Sequence, residues 1–227
     1  MQPYFFPYIG YFQLIHSADL FIVYDQIKYT KKGWINRNRM LQNGKGVLFS
    51  LPLKDASDSL DVCDRLLATD FDRDRFLRQI RGAYRNATFF SETFPLVEQI
   101  MRYNERNLFS FLHHAIAKIC QHLEISTEIR VSSDIAVEEG LKNHQKVIAL
   151  CKAVGADTYV NAIGGMELYT RDKFRSCGLG LNFIKSNFYA YRQLGDAFVP
   201  GLSIIDVMMF NSLETIKSQA LLQYELI

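Results

Sequence analysis

From residue 128 to residue 185 short β-rich runs alternate with helix-like stretches, and this alternation restricts the fold more than any other feature. Residues 128–131 (EIRV) read as a strand, 142–153 (KNHQKVIALCKA) as a helix stopped by Gly155, and 158–163 (TYVNAI) as a strand. Residues 166–176 read as a helix capped by Gly178, and 179–185 (LGLNFIK) as a further strand. Strand, helix, strand, helix, strand at this spacing predicts right-handed βαβ units and a mostly parallel sheet. The continuous apolar run from Leu20 to Tyr24 (LFIVY) fits a strand covered on both faces, as parallel sheets require. The expected class is α/β, a mostly parallel sheet flanked by helices in a Rossmann-like arrangement.

Elsewhere the pattern is more helical. Residues 8–18 read as a short helix after Pro7, and 28–40 as a basic, polar loop entering a short helix. Residues 47–53 read as a strand with Pro52 at its end or on an edge, and 55–65 as loop. Residues 72–86 space their apolar positions helically behind Asp72, a candidate cap. Residues 94–123 continue as helix, with Pro95 suited to a first turn and a break near Asn104 to Asn107. Residues 203–210 and 213–224 read as the last helices. A chain of 227 residues, 48% of them hydrophobic, supplies one core without staples. One domain over residues 1–227 is expected, with residues 70–125 as a helical insertion or subdomain.

Charge and cysteine usage exclude several classes. With 26 basic and 24 acidic residues the net charge is +2, too even for a general nucleic-acid or anionic-membrane binder. None of the four cysteines stands in a CxxC pair, which argues against structural zinc; Cys120 and Cys151 lie in apolar helical runs and read as buried thiols. His113, His114 and His122 share a stretch with no carboxylate or close ligand pair, so no metal site is expected. The opening residues lack a basic n-region, and no apolar stretch approaches the roughly 20 residues that span a bilayer. A cytoplasmic protein without membrane insertion is expected, and no cofactor is specified.

Four segments carry chemistry-bearing residues. The opening Gln2-Pro3-Tyr4-Phe5-Phe6-Pro7-Tyr8-Ile9-Gly10-Tyr11 is dense in proline and aromatics, and Gly10 heads a predicted helix where a ligand can approach the backbone. Tyr8-x-Gly10-Tyr11 stands where nucleotidylyltransferases carry HxGH, which makes the expected fold nucleotidylyltransferase-like as well. Tyrosines keep the hydrogen bonding of those histidines and lose their charge; the alternative is an aromatic cluster in the core. Asp25 ends a predicted strand, the end at which open α/β sheets bind ligands, or else serves as a cap or turn residue.

In Lys31-Lys32-Gly33-Trp34-Ile35-Asn36-Arg37-Asn38-Arg39, cations, amides and the sole tryptophan fall within nine positions. Arginine and lysine bind phosphate or carboxylate, and Trp34 offers a stacking face; a solvated basic turn anchored by Trp34 is the plainer reading. Asn161-Ala162-Ile163-Gly164-Gly165, with Tyr169 beyond it, places a double glycine between strand and helix, either a phosphate-cradling turn or a tight connection. It lacks the GxGxxG and GxxxxGK patterns. Lys142 and His144 begin a polar helix that can face a pocket.

The chain resembles the WbqC-like protein family along nearly its whole length. The likeness is carried by Gln2 to Phe12, by Asp25 with Lys32 to Arg39, by Tyr159 to Gly165 with Glu167-Leu168-Tyr169, and by Phe198-Val199-Pro200 with Leu202 to Asp206. It implies a bacterial protein encoded beside surface-polysaccharide or O-antigen genes, and a transferase role such as passing an aminoacyl or glycyl group to an amino sugar or another nucleotide-linked substrate. Under that reading a sugar nucleotide or activated acyl donor lies over Gly10 and Gly164-Gly165. Lys32, Arg37 and Lys142 neutralise it, and Asp25 positions or deprotonates the acceptor. Trp34, Tyr4 and Tyr11 stack on rings, while Gln2, Tyr8, Asn36, Arg39, Asn161 and Tyr169 complete the site. The alternative is a non-catalytic binding or scaffold protein of the same pathway, using Phe198 to Leu202 and the C-terminal helix. One departure stands out: family members begin with a short apolar strand before the Gln-Pro pair, whereas this sequence starts at Met1-Gln2. Lack of a central parallel strand would leave ladder groups and apolar surface uncovered.

Overall fold

In the computed structural model, which describes residues 1–195 and 197–227, the chain opens with helix α1 (Ile9–His16) and strand β1 (Leu20–Val23). A hairpin of β2 (Arg37–Gln42) and β3 (Lys45–Ser50) precedes three helices, α2 (Arg73–Tyr84), α3 (Phe90–Met101) and α4 (Leu108–His122). Strand β4 (Glu128–Val131), helix α5 (Asn143–Ala153), β5 (Thr158–Ala162), α6 (Arg171–Arg175) and β6 (Gly180–Ser186) follow in alternation. Helices α7 (Ile204–Phe210) and α8 (Leu213–Ser218) and strand β7 (Tyr224–Leu226) complete the order.

The parallel expectation holds pairwise. β1 runs parallel to β4, and β5 runs parallel to β6, from Thr158 opposite Gly180 to Ala162 opposite Ile184. The single sheet does not form: β4 pairs with β1 rather than with β5, and β7 adds antiparallel to β6. A cavity of about 560 Å³ separates the two ladders, walled by β1 and β5 and lined by Leu14, Val147, Leu150 and Cys151 from the helices on either side. Met1 stands at its rim. The Met1 amine donates to the carbonyl of Ile22 at 2.6 Å, and the Tyr24 N–H donates to the carbonyl of Met1 at 2.8 Å, the bond pattern of parallel pairing. The two strands that wall the cavity thus have a ladder partner along one edge only.

Several boundaries differ from expectation for local reasons. Residues 37–42 form a strand rather than a helix, because Asn43 (φ 51°) and Gly44 (φ 71°) make the tight left-handed turn that joins β2 to β3. Pro95 lies in the second turn of α3, not the first, and the Ser91 carbonyl it leaves without a partner belongs to an exposed residue. Residues 163–165 form a 3₁₀ turn, so helix begins only at Arg171. The last segment stops being helical after a 3₁₀ turn at Ala220–Leu222 and becomes β7. Asp72 caps α2 as expected, its carboxylate accepting from the Arg75 N–H at 2.7 Å, and Asn107 does the same for α4.

The core explains why the opening segment is ordered. Phe5 and Phe6 are fully buried, and the Phe5 ring meets Phe49 of β3, Phe76 of α2 and Phe111 of α4 at centroid distances of 5.5, 5.9 and 6.3 Å. Helices α2 and α4 therefore pack directly on the N-terminal segment, while α3 packs on α2, α4 and α7. Among the described residues no helix is long and apolar enough to cross a membrane.

Candidate functional site

The opening segment and the hairpin are locked together through main-chain carbonyls. The side-chain amide of Asn38 donates to the carbonyls of Phe5 (3.2 Å) and Phe6 (2.7 Å), and the Ser203 hydroxyl donates to the same Phe6 carbonyl at 2.8 Å. The Phe5 N–H donates to the carbonyl of Trp34 at 3.3 Å, and the Ile204 N–H to that of Pro7 at 2.9 Å. Phe6 has φ 43°, a left-handed conformation that costs a bulky residue energy and persists only where the surroundings enforce it. Strand alternation explains the division of labour on β2: Asn38 and Met40 face inward, while Arg37 and Arg39 lie on the outer face, opposite Ser50 and Leu48 of β3.

That outer face carries the most exposed chemistry near the N-terminus. Trp34 is 42% exposed, and the Arg39 guanidinium lies 5.9 Å from its ring centroid. Arg39 donates from Nη2 to the carbonyl of Gly201 at 3.1 Å, and Arg37 from Nε to that of Gly33 at 2.8 Å. Among the described residues neither arginine has a carboxylate partner. Lys32 is exposed on the adjoining turn.

The tyrosines divide into packed and half-buried groups. Tyr11 is 2% exposed, and its hydroxyl donates to the Gln2 carbonyl at 2.9 Å, so its ring belongs to the core and is not a ligand face. Tyr4 lies 5.5 Å from Tyr11 and donates to Gln2 Oε1 at 3.3 Å; burial, then the neighbouring Tyr8, pushes its hydroxyl pKa up. Tyr8 covers Gly10 so closely that a Cβ at Gly10 would lie 2.6 Å from the Tyr8 hydroxyl. Asn36 is engaged on both sides, accepting from the Tyr29 hydroxyl and donating to the carbonyl of Leu51, each at 2.8 Å.

A second group surrounds the cavity between β1 and β5. Tyr24, Tyr159 and Asn161 line it, and Tyr169 packs edge-on against Tyr159 at 5.8 Å. Lys146 of α5 lies 5.6 Å above the Tyr24 ring, and burial pushes the Tyr24 hydroxyl well up. Asn161 folds back on its own strand end, accepting from the Ala162 N–H at 2.8 Å and covering Gly165; Gly164 is open to solvent, and Lys142 is exposed ahead of α5. Met1 and Gln2 join this group to the first along the chain. Among the described residues no hydrogen bond or aromatic contact ties Gly164 or Gly165 to the Trp34 segment.

Asp25 is 7% exposed, and its carboxylate accepts from the Ser132 hydroxyl at 2.7 Å and the Ser133 N–H at 3.2 Å. Burial pushes this carboxyl up, but the bonds from Ser133 and Ser132, together with those from the backbone of Asp25 and Gln26, outweigh it and hold the pKa below the usual value. His113 stacks on Phe109 and His114 on Tyr103, the environments of packing residues. Among the described residues no group of three or more His, Cys, Asp or Glu side chains can hold a metal ion.

One polar network was not singled out from the residue pattern. Asp206 of α7 is fully buried and accepts from Tyr84 (3.0 Å), Tyr191 (2.6 Å) and Gln193 (2.6 Å). The Leu41 N–H of β2 donates to the Tyr84 hydroxyl, which ties the hairpin to α2 and α7. The visible signal is the lone charge in the apolar run Ser203 to Phe210. Asn38 and Ser203 were likewise not singled out, since only tertiary contacts show that both hold the Phe6 carbonyl.

The profile of the WbqC-like protein family matches residues 2–218. An uncharacterized protein of Mycobacterium tuberculosis is 27% identical over 215 residues, which cover 93% of this chain and 91% of that protein. No solved structure matches.

Proposed function

The chain belongs to the WbqC-like protein family, and from that premise we propose that it is a group-transfer enzyme of bacterial surface-polysaccharide biosynthesis. The observation that carries this reading is the pair Arg37 and Arg39, without carboxylate partners among the described residues, beside the half-exposed Trp34. Two guanidiniums on one strand face provide a forked donor array for phosphate, and an adjacent indole provides a surface for a ring. An activated sugar or acyl donor has both features.

Division of roles follows from the environments. Arg37, Arg39 and Lys32 offset the donor's negative charge, and Trp34 with the half-buried Tyr4 and Tyr8 borders its ring. Asp25, kept ionised by its serine neighbours, is suited to orienting an acceptor amine or hydroxyl; a carboxyl with a lowered pKa is a weak proton acceptor. Asn161, Gly164, Gly165 and Tyr169 belong to a separate part of the proposal at the end of β5, where Asn161 lines the cavity between β1 and β5 and is available to the acceptor. The Rossmann-like, nucleotidylyltransferase-like arrangement belongs to the same proposal. It is supported by the parallel pairs β1–β4 and β5–β6 facing each other across one cavity.

Turnover is the test. The protein is offered sugar nucleotides, aminoacyl donors and ATP with amino-sugar acceptors, and products are read by mass. A donor that raises the melting temperature of the wild type, but not of Arg37→Ala, and is consumed with an acceptor supports the reading. Binding without consumption across the panel would favour a non-catalytic role for the surface of Phe198 to Leu202 and the C-terminal segment, where Leu202 is buried and Phe198 rests on Tyr191 at 5.0 Å while Pro200 and Leu222 are exposed.

A further inference from the structure

We infer that Phe188 and Trp34 are the two walls of one binding site for a flat-faced ring carrying phosphate, with Arg39 between them. The inference rests on the reading above that the Trp34 to Arg39 segment holds substrate, and it adds a residue and a ligand geometry.

Phe188 follows β6 and is 66% exposed. A single exposed apolar side chain needs no explanation; its neighbours here supply one. Gly201 has φ 65°, and a Cβ there would lie 3.3 Å from Arg39 Nη2 and 4.0 Å from Phe188 Cε1. Glycine therefore keeps open the space between the guanidinium and the Phe188 ring, and its carbonyl holds the guanidinium in place at 3.1 Å. The same guanidinium lies 5.9 Å from the Trp34 ring centroid. Leu48, 51% exposed and directly opposite Arg39 on β3, extends the apolar surface.

A cation near two exposed aromatic rings suits an anion attached to something that stacks. Both a sugar ring, through its C–H faces, and a nucleobase meet that description, and phosphate meets the guanidinium as a fork. A nucleic-acid strand fits less well, because the chain has a net charge of only +2 and this surface presents two arginines rather than a basic track.

Trp34 is the sole tryptophan, so its emission reports binding at this place directly. The intact protein is titrated with UDP-N-acetylglucosamine, N-acetylglucosamine 1-phosphate, UDP and inorganic phosphate. The expected result is that ring-bearing phosphates change the Trp34 emission. Phe188→Ala weakens them about tenfold, the scale of one aromatic contact, without changing the affinity for inorganic phosphate. Phe188→Tyr retains wild-type affinity, and Arg39→Ala weakens every probe. The sugar phosphate and UDP arms show which ring is held. Wild-type affinity in Phe188→Ala, with loss in Arg39→Ala, overturns the two-wall site and leaves the proposed function standing. Silence of Trp34 and of the melting temperature toward all four probes also overturns the two-wall site, and the turnover panel then decides the proposed function on its own.

Discussion

Asn38 holds the carbonyl of Phe6 at 2.7 Å while Phe6 sits at φ 43°, so a side chain of the hairpin maintains a left-handed residue in the opening segment. Ser203 donates to the same carbonyl from α7's N-terminal cap position. Asn38→Ala leaves two buried carbonyls short of a donor and should cost roughly 1–3 kcal/mol in a urea melt. Ser203→Ala keeps the Asn38 donor to Phe6 but loses the hydroxyl that accepts from the Ile205 N–H at the head of α7, so it should cost a similar amount. Once both are gone Phe6 can relax to an ordinary conformation, so the double variant should be less destabilised than the two losses combined. Strict additivity would show that Phe6 is not held under strain.

Gly10 and Tyr8 form a second coupled pair. Any side chain at Gly10 runs into the Tyr8 ring, whose hydroxyl would be 2.6 Å from the new Cβ. Tyr8 is half-buried and can swing outward, so Gly10→Ala should displace the ring rather than unfold α1. The expected outcome is a stability loss of about 1 kcal/mol, within the usual range of a single substitution, with weaker donor binding. Tyr8→Ala combined with Gly10→Ala should recover the stability but not the binding, as read by melts and titrations of the same samples.

The elements legible in the sequence are those whose signals are local. β1 reads from five consecutive apolar residues, α2 from its spacing and the Asp72 cap, and β5 and β6 from short runs set off by Gly155 and Gly178. β2 does not, because its inward side includes the polar Asn38 and its outward side is arginine; alternation is present but is not apolar against polar. The sheet is divided because β1 pairs with β4 and β5 with β6, with a cavity between the two ladders, which no local pattern records. The cluster from Lys32 to Arg39 was legible as a place of interest. Its contact with Gly201 joins residues more than a hundred positions apart, and Tyr11 and Asn36 are occupied by hydrogen bonds to Gln2, Tyr29 and Leu51.

Asp206 predicts one direction of pH dependence. Burial pushes its carboxyl above the ordinary 3.8, although bonds from Tyr191, Gln193 and Tyr84 pull the other way. A raised carboxyl stabilises the fold at low pH, and that contribution is lost as pH rises from 3.8 through the folded value. Asp206→Asn leaves one acceptor oxygen where there were two, so at least one of those three donors loses its acceptor, and it is destabilising by roughly 1–3 kcal/mol. Its deficit relative to the wild type should be largest in acid and should shrink as pH rises. A deficit that grows instead would mean that the three donors outweigh burial.

Asp25 predicts the opposite sign. Its folded carboxyl lies below the ordinary 3.8, so the stability it supplies is present above that value and is lost as pH falls through the folded one. Asp25→Asn should therefore be clearly less stable than the wild type at neutral pH and converge with it in strong acid. Ser132→Ala removes the 2.7 Å bond and should return the Asp25 carboxyl toward its ordinary value, visible as a shifted carbonyl-carbon titration by NMR. The functional consequence separates orienting from proton transfer. If Asp25 orients the acceptor, Asp25→Asn should raise KM for the acceptor while leaving the acid limb of the kcat profile where it was. A limb that vanishes in the variant would identify Asp25 as the group that takes the proton.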